Sequence, residues 1–400
     1  MLEQQLTRYL EGLKREHQIP LTLELWDGSR IALGDAPRVH LRVKSLSSAR
    51  LLMKPNLGNL AEAYVEGDID VEGPIREVVA VADQLADFGG ESEKRNGLPQ
   101  WFGRHSRTSD RKAIQYHYDV SNDFYSQWLD PRMVYSCAYF RTGTEDLATA
   151  QLAKLDLVCR KLKLLPEERL LDIGCGWGAM VIHAASKYGV RAVGVTLSEQ
   201  QFQLASARVR EAGLQDRVEI RLQDYRDIKD GPFDKISSIG MFEHVGLKNL
   251  PKYFRIIHDL LRDGGVAMNH GITASHPDSQ SVGRGAGDFI DRYVFPDGEL
   301  PHVSLAIREL SAAGLELVDA ESLRRHYALT CEHWSRRFEQ ALPRLREVSG
   351  ERQVRIWRIY LAGCAMGFAK RWMNIYQLLA VKSGAETAGL PLTRDYMYDR

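Results

Sequence analysis

The sequence predicts an α/β protein. An open, largely parallel sheet is covered by helices on both faces and is preceded by a smaller α+β unit. Three observations carry this. From about residue 164, strand-like and helix-like segments alternate. RLLDIG is a short apolar strand that runs straight into glycines. WMNIYQLLAVKS, another strand-like run, returns near the end after a long helical stretch. Such alternation means βαβ units, whose sheet is buried on both faces. Sheets of this kind bind ligands at the carboxyl ends of their strands.

Taken in order, the chain opens with MLEQQLTRYLEGLKREHQIP, where Leu2, Leu6, Leu10 and Leu13 recur at helical spacing between charged residues. That is an amphipathic helix and not a secretory signal. LTLELWDG and VHLRVKS alternate as strands do, PNLGNLAEAYVEGDIDVEG is turn-rich, and IREVVAVADQLADF reads as a helix. Residues 1–90 therefore form the first unit. FGGESEKRNGLPQWFGRHSRTSDRK is polar and rich in glycine and charge, which places a linker at 91–113. Arg104, Arg107, Arg111 and Lys112 stand there against Asp110. The run is either a solvated segment or a contact for anionic lipid headgroups.

Residues 114–400 hold the alternating pattern. RLLDIG, RAVGVTL, RVEIRLQD, FDKISSIG and VAMNHGI read as strands. AMVIHAASKYG, SEQQFQLASARVREAG and LPKYFRIIHDLLRDGG read as the helices among them. LSAAGLELVDAES adds a helix and a strand, a helix-like stretch runs from Cys331 to Arg371, and the final strand follows. This order fits a seven-stranded methyltransferase sheet better than a six-stranded dinucleotide fold.

Composition narrows the function classes. Lys+Arg and Asp+Glu are both 53, a net charge of zero, which argues against a surface built for nucleic acid. The apolar runs fall short of the ~20 residues a membrane span needs. The five cysteines, Cys137, Cys159, Cys175, Cys331 and Cys364, are odd in number and form no CxxC pair. Reduced thiols in a cytoplasm are the expectation, with neither a disulfide framework nor a metal site.

LDIGCGWG is the most informative octamer. Gly174, Gly176 and Gly178 let the chain turn sharply and bring backbone N–H groups close to a ligand. A dinucleotide fingerprint is Gly-x-Gly-x-x-Gly; here Gly178 comes one place early. Asp172 precedes the first glycine. An acid there can meet a cationic amino-acid group, which a dinucleotide lacks, so S-adenosylmethionine is favoured over NAD. The next strand ends in GVTLSEQQ, with Thr196 where an acid usually bonds the ribose.

GVTLSEQQ, with LDIGCGWG, YDVSNDFY, YSCAYF and GMFEHVG, resembles the cyclopropane-fatty-acyl-phospholipid synthase family and its mycolic acid relatives. The motifs come in that family's order, and NLGNLAEAYVEGDIDVEG is similar to its N-terminal lipid-interacting domain. The resemblance implies a class I S-adenosylmethionine-dependent methyltransferase fold with a Rossmann-like seven-stranded sheet. For the cofactor it implies Tyr135, Ser136, Asp172, Gly174 and Gly176. Thr196, Leu197 and Gln201 stand in place of the ribose acid, and Tyr225 flanks the adenine.

The implied reaction passes a methyl group to a cis double bond of a phospholipid acyl chain. Proton loss from the added methyl then closes a cyclopropane ring. The alkene is a poor nucleophile, so proximity must supply much of the barrier reduction. The resulting cation needs a dry site and a base near the new methyl. The resemblance implies that a bound bicarbonate is that base, held by Cys137, Glu243, His270, Tyr327 and the backbone N–H of Ile272. Glu243 would accept the bicarbonate hydroxyl. Glu243 and His244 are adjacent and cannot share a face, so His244 is read as structural. Cys364 has been given a nucleophilic role in the family, but the chemistry needs no covalent nucleophile, so it too is read as structural.

Residues 274–303 interrupt the sheet, and their glycines suggest a mobile lid or an ordinary insertion. The enzyme would work at a bilayer without spanning it, on the cytoplasmic face, with the first helix and the basic linker as its contact surface. A homodimer would present two such contacts; the sequence leaves the oligomeric state open. The alternative reading is a methyltransferase that leaves a methylene or methyl branch with no ring.

Overall fold

In this computed structural model the described residues are 2–88, 121–279, 282–283, 285–296, 298–382 and 389–398. The linker expected at 91–113, with its basic run, lies outside them. The chain forms two compact units. One draws on the ranges 1–100, 282–296 and 334–367, the other on 101–281, 297–333 and 368–400. The first unit thus includes two later segments that the sequence reading places with residues 114–400.

The first unit holds a four-stranded sheet in the order β2-β1-β3-β4. Its strands are β1 (Leu21–Glu24), β2 (Arg30–Ala32), β3 (Val39–Val43) and β4 (Ile69–Glu72). β1 and β3 are parallel, and the other pairs are antiparallel. Asn56 caps the helix Leu57–Glu66 by accepting the Asn59 N–H, and Gly67 ends it at φ +85°.

The helix Leu2–Glu16 forms where the spacing predicts. Leu6, Leu10 and Leu13 are buried in a core with Leu21, Leu41, Val43 and Val78. Each such leucine contributes about 1.5–3 kcal/mol by burial. These three leucines therefore face the unit's own core. The segment read as a lid or an ordinary insertion carries a helix. Ala286–Tyr293 is a helix lying on Leu57–Glu66. A Cβ on Gly58 would come within 2.4 Å of the Gly285 carbonyl oxygen, so glycine permits the contact.

The second unit holds a seven-stranded sheet in the order β10-β11-β9-β8-β5-β6-β7. The strands are β5 (Arg169–Ile173), β6 (Arg191–Thr196), β7 (Val218–Leu222), β8 (Phe233–Ile239), β9 (Leu261–Ala274), β10 (Leu315–Ser322) and β11 (Met373–Lys382). β5 to β9 run parallel, while β11 is antiparallel to both β9 and β10. The chain leaves β5 toward β6 and β7, then returns to place β8 on the other side of β5. That reversal opens a crevice at the carboxyl ends of β5 and β8, where ligands bind such sheets. No helix among the described residues is long and apolar enough to cross a membrane.

Candidate functional site

β5 delivers Asp172 and then the glycine loop to the crevice. Gly174 turns at φ +79°, and a Cβ there would lie 2.5 Å from the Met241 side chain, so glycine is required twice over. The N–H groups of Gly174 and Cys175 both donate to the Val195 carbonyl, which ties the loop to β6. One cavity is lined by Tyr135, Ser136, Asp172, Gly174 and Gly176 from one side. Thr196, Leu197, Gln201 and Tyr225 complete it, so all nine residues the sequence assigned to the cofactor share one space.

Their local chemistry is specific. Asp172 is buried and accepts a 2.6 Å hydrogen bond from Ser237 Oγ. Burial pushes its carboxyl up to about 6, against the opposing pull of Ser237 and Lys154. Thr196 Oγ1 donates to Gln201 Oε1 at 2.7 Å and accepts the Ser198 N–H. A hydroxyl and an amide thus occupy the place of the usual ribose acid. Tyr225 meets Tyr253 edge-on at 5.7 Å. Tyr125, Trp128, Tyr135 and Trp177 form an aromatic group with ring separations from 5.1 to 5.7 Å. Trp177 Nε1 donates to Asn122 Oδ1 at 2.7 Å.

Lys154 was not anticipated. It lies on the helix Leu147–Lys161, lines the same cavity, and donates from Nζ to Ser136 Oγ at 2.9 Å. Burial pulls its ammonium down to about 8, with Asp130 and Asp172 among the groups opposing that. Its only sequence signal is a charge on the apolar face of a helix, near Leu155 and Val158.

A second cluster follows Met241 in the chain. The short helix Phe242–Val245 seats its Phe242 ring on Gly271, where a Cβ would fall 1.6 Å from a ring carbon. This seating brings Glu243 against β9, and its Oε1 accepts the Ile272 N–H at 2.7 Å. Ile272 therefore differs from expectation: its N–H is committed to Glu243 rather than open to an anion. Glu243 Oε2 is buried and has no hydrogen-bond partner among the described residues. Burial pushes this carboxyl up to about 7. His244 lines the cavity, while its neighbour Glu243 is directed at β9.

His270 is buried, and its Nε2 has no partner among the described residues. Burial, together with the charges of Lys154 and Lys161, drives its imidazole well below the ordinary range, so the ring is neutral. Cys137 Sγ donates to the Ala138 and Leu323 carbonyls at 3.2 and 3.8 Å. Burial pushes its thiol up, so it is a neutral donor already engaged with backbone. Leu323 also accepts the Tyr327 N–H and donates to the Ile375 carbonyl, and Ile375 pairs in register with Ile272. This chain of bonds brings Cys137, Tyr327 and Ile272 to one end of the β9–β11 pair, with His270 two residues further in along β9. Tyr327 packs on Phe368 at 4.5 Å. Cys364 lies in the first unit, buried on the helix Leu342–Ala369, with its thiol pushed up to about 12 by burial.

Residues 105–378 match the family described as mycolic acid cyclopropane synthetase, and residues 8–92 match a domain of unknown function. The chain is 48% identical over 384 residues to a probable fatty acid methyltransferase of Pseudomonas putida, covering 95% of this chain and 96% of that one. It is 35% identical to the cyclopropane-fatty-acyl-phospholipid synthase of Escherichia coli strain K12, covering 91% and 94%. Among solved structures it resembles mycolic acid cyclopropane synthase CmaA1 complexed with SAH and CTAB. That likeness has 35% identity and a TM-score of 0.64, over 68% of this chain and 98% of that one.

Proposed function

We propose, for a chain that belongs to the mycolic acid cyclopropane synthetase family and is an S-adenosylmethionine-dependent methyltransferase, that the methyl acceptor is a cis double bond in the acyl chains of membrane phospholipids and the product a cyclopropane ring. The nine-residue cavity fits the cofactor. The Gly176 turn leaves open space that a side chain would enter, and buried Asp172 suits a cationic amino group. Bound there, S-adenosylmethionine supplies an electrophilic methyl group. Asp172 and the Thr196–Gln201 pair hold the two ends of the cradle, and the Tyr125–Trp177 aromatics wall it against water.

One observation carries the ring-closing reading: two buried polar atoms, Glu243 Oε2 and His270 Nε2, have no partner. Unsatisfied buried groups cost about 1–3 kcal/mol each, so an unmodified site of this kind calls for a small hydrogen-bonding occupant. Bicarbonate fits the donor set, since it offers one hydroxyl and two bare oxygens. Held there, it supplies a base for the proton that ring closure must release. Glu243 would accept the hydroxyl and His270 would donate to one bare oxygen, leaving the other as the base. Cys137 and Ile272 serve as backbone-bonded walls of the site rather than as free donors.

The proposed acceptor places the enzyme at the cytoplasmic face of a bilayer, which it touches without crossing. Incubation with S-adenosylmethionine and vesicles of a cis-monounsaturated phospholipid tests the acceptor. The acyl chains gain the mass of one CH₂ in vesicles. Equal or faster gain on a soluble small acceptor, with none on vesicles, overturns the proposal.

A further inference from the structure

A glutamine with no exposed surface stands in the middle of β11. A buried amide is costly unless it is hydrogen-bonded, and the apolar neighbours Leu378 and Leu379 offer it nothing. Gln377 is the cross-strand partner of His270 on β9 and of Glu321 on β10. Residues in register share a face of the sheet. Glu321, Gln377 and His270 therefore make one polar row across three strands. At its outer end Lys161 Nζ donates to Glu321 Oε2 at 2.5 Å and to Asp319 Oδ2 at 3.4 Å. At its inner end Gln377 Nε2 stands 3.2 Å from His270 Nδ1.

An amide nitrogen has only hydrogens to offer, so His270 Nδ1 is the acceptor in this contact. The proton of the neutral ring is then on Nε2, the buried atom without a partner. We infer that Gln377 is a positioning residue that fixes His270 as the Nε2–H tautomer, so that the ring presents a donor to the small oxyanion. The inference rests on the proposed bicarbonate site. With this tautomer the two unpartnered atoms are complementary, Glu243 Oε2 accepting and His270 Nε2–H donating. The opposite tautomer would aim a lone pair at an anion.

Ring-¹⁵N NMR of the full chain reads the tautomer directly, with the His270 signals assigned by their loss in His270→Asn. The native protein shows a protonated Nε2 and a bare Nδ1. Gln377→Glu accepts from Nδ1 and reverses the pattern. Its product formation at fixed bicarbonate falls at least about tenfold, the worth of one charge-assisted hydrogen bond. Added bicarbonate restores part of the rate, and affinity for S-adenosylhomocysteine is unchanged. A protonated Nδ1 in the native chain overturns the inference. So does a Gln377→Glu protein whose tautomer is unaltered. A reversed tautomer with a rate indifferent to bicarbonate supports the role of Gln377 and overturns the bicarbonate site instead.

Discussion

The Ile272 backbone N–H donates to Glu243 Oε1 at 2.7 Å, and this bond determines which carboxylate oxygen is left over. Oε1 is held by β9, while Oε2 faces buried space without a partner. A side chain so fixed costs little further ordering when it receives a ligand's hydroxyl.

Glu243→Gln should therefore fold and lose activity. The amide oxygen still accepts from Ile272, but the second position now presents an N–H where a hydroxyl must donate. The expected loss is about 10²–10⁴-fold in turnover. Affinity for S-adenosylhomocysteine, measured by calorimetry, should be unchanged.

Stability should fall with rising pH through the range in which Glu243 ionises. Its folded pKa, about 7, is raised above the ordinary 4.5, so the folded state holds the proton more tightly than the unfolded chain. The contribution is complete below about pH 4.5 and lost as pH rises through about 7, a swing of roughly 3 kcal/mol. Asp172, raised to about 6, adds a swing of the same sign. Denaturant midpoints across this range should decline less steeply in Glu243→Gln than in the native protein. Equal slopes would contradict the assignment.

Lys154→Met should weaken the cofactor site without unfolding the chain. The thioether fills most of the lysine's volume but cannot hold Ser136 Oγ, and Asp172 loses its nearby positive charge. About tenfold weaker S-adenosylmethionine binding is expected in calorimetry, the scale of one charged hydrogen bond.

Gly271→Ala should be strongly destabilising for a single methyl. Its Cβ would overlap the Phe242 ring, so the helix carrying Glu243 must shift. Overpacking of this kind costs about 1–3 kcal/mol, readable as a lower Tm, and activity should fall with it. Cys364→Ser, by contrast, should keep full turnover, because that thiol is buried in the first unit.

The sheet was legible because periodicity and glycine placement are local signals. The nine cavity residues were legible through the motif resemblance; seven of them end or follow β5, β6 or β7, whereas Tyr135 and Ser136 lie between two helices. Lys154 and Gln377 carry no such signal. Each lies inside a run that reads as an ordinary helix or strand, and only tertiary packing shows that it is buried. The commitment of the Ile272 N–H to Glu243 was equally out of reach, since it depends on how Phe242 seats on Gly271. Spacing gave the amphipathic first helix, but not which surface its leucines would cover; they join the first unit's core.

In the proposed reaction, methyl transfer ends in ring closure rather than a branch. Proton NMR of phospholipid recovered after reaction with S-adenosylmethionine and cis-monounsaturated vesicles tests it most directly. The account predicts upfield cyclopropane ring protons and disappearance of the olefinic signal. Vinylidene protons, or a saturated methyl branch at the same mass gain, would contradict it.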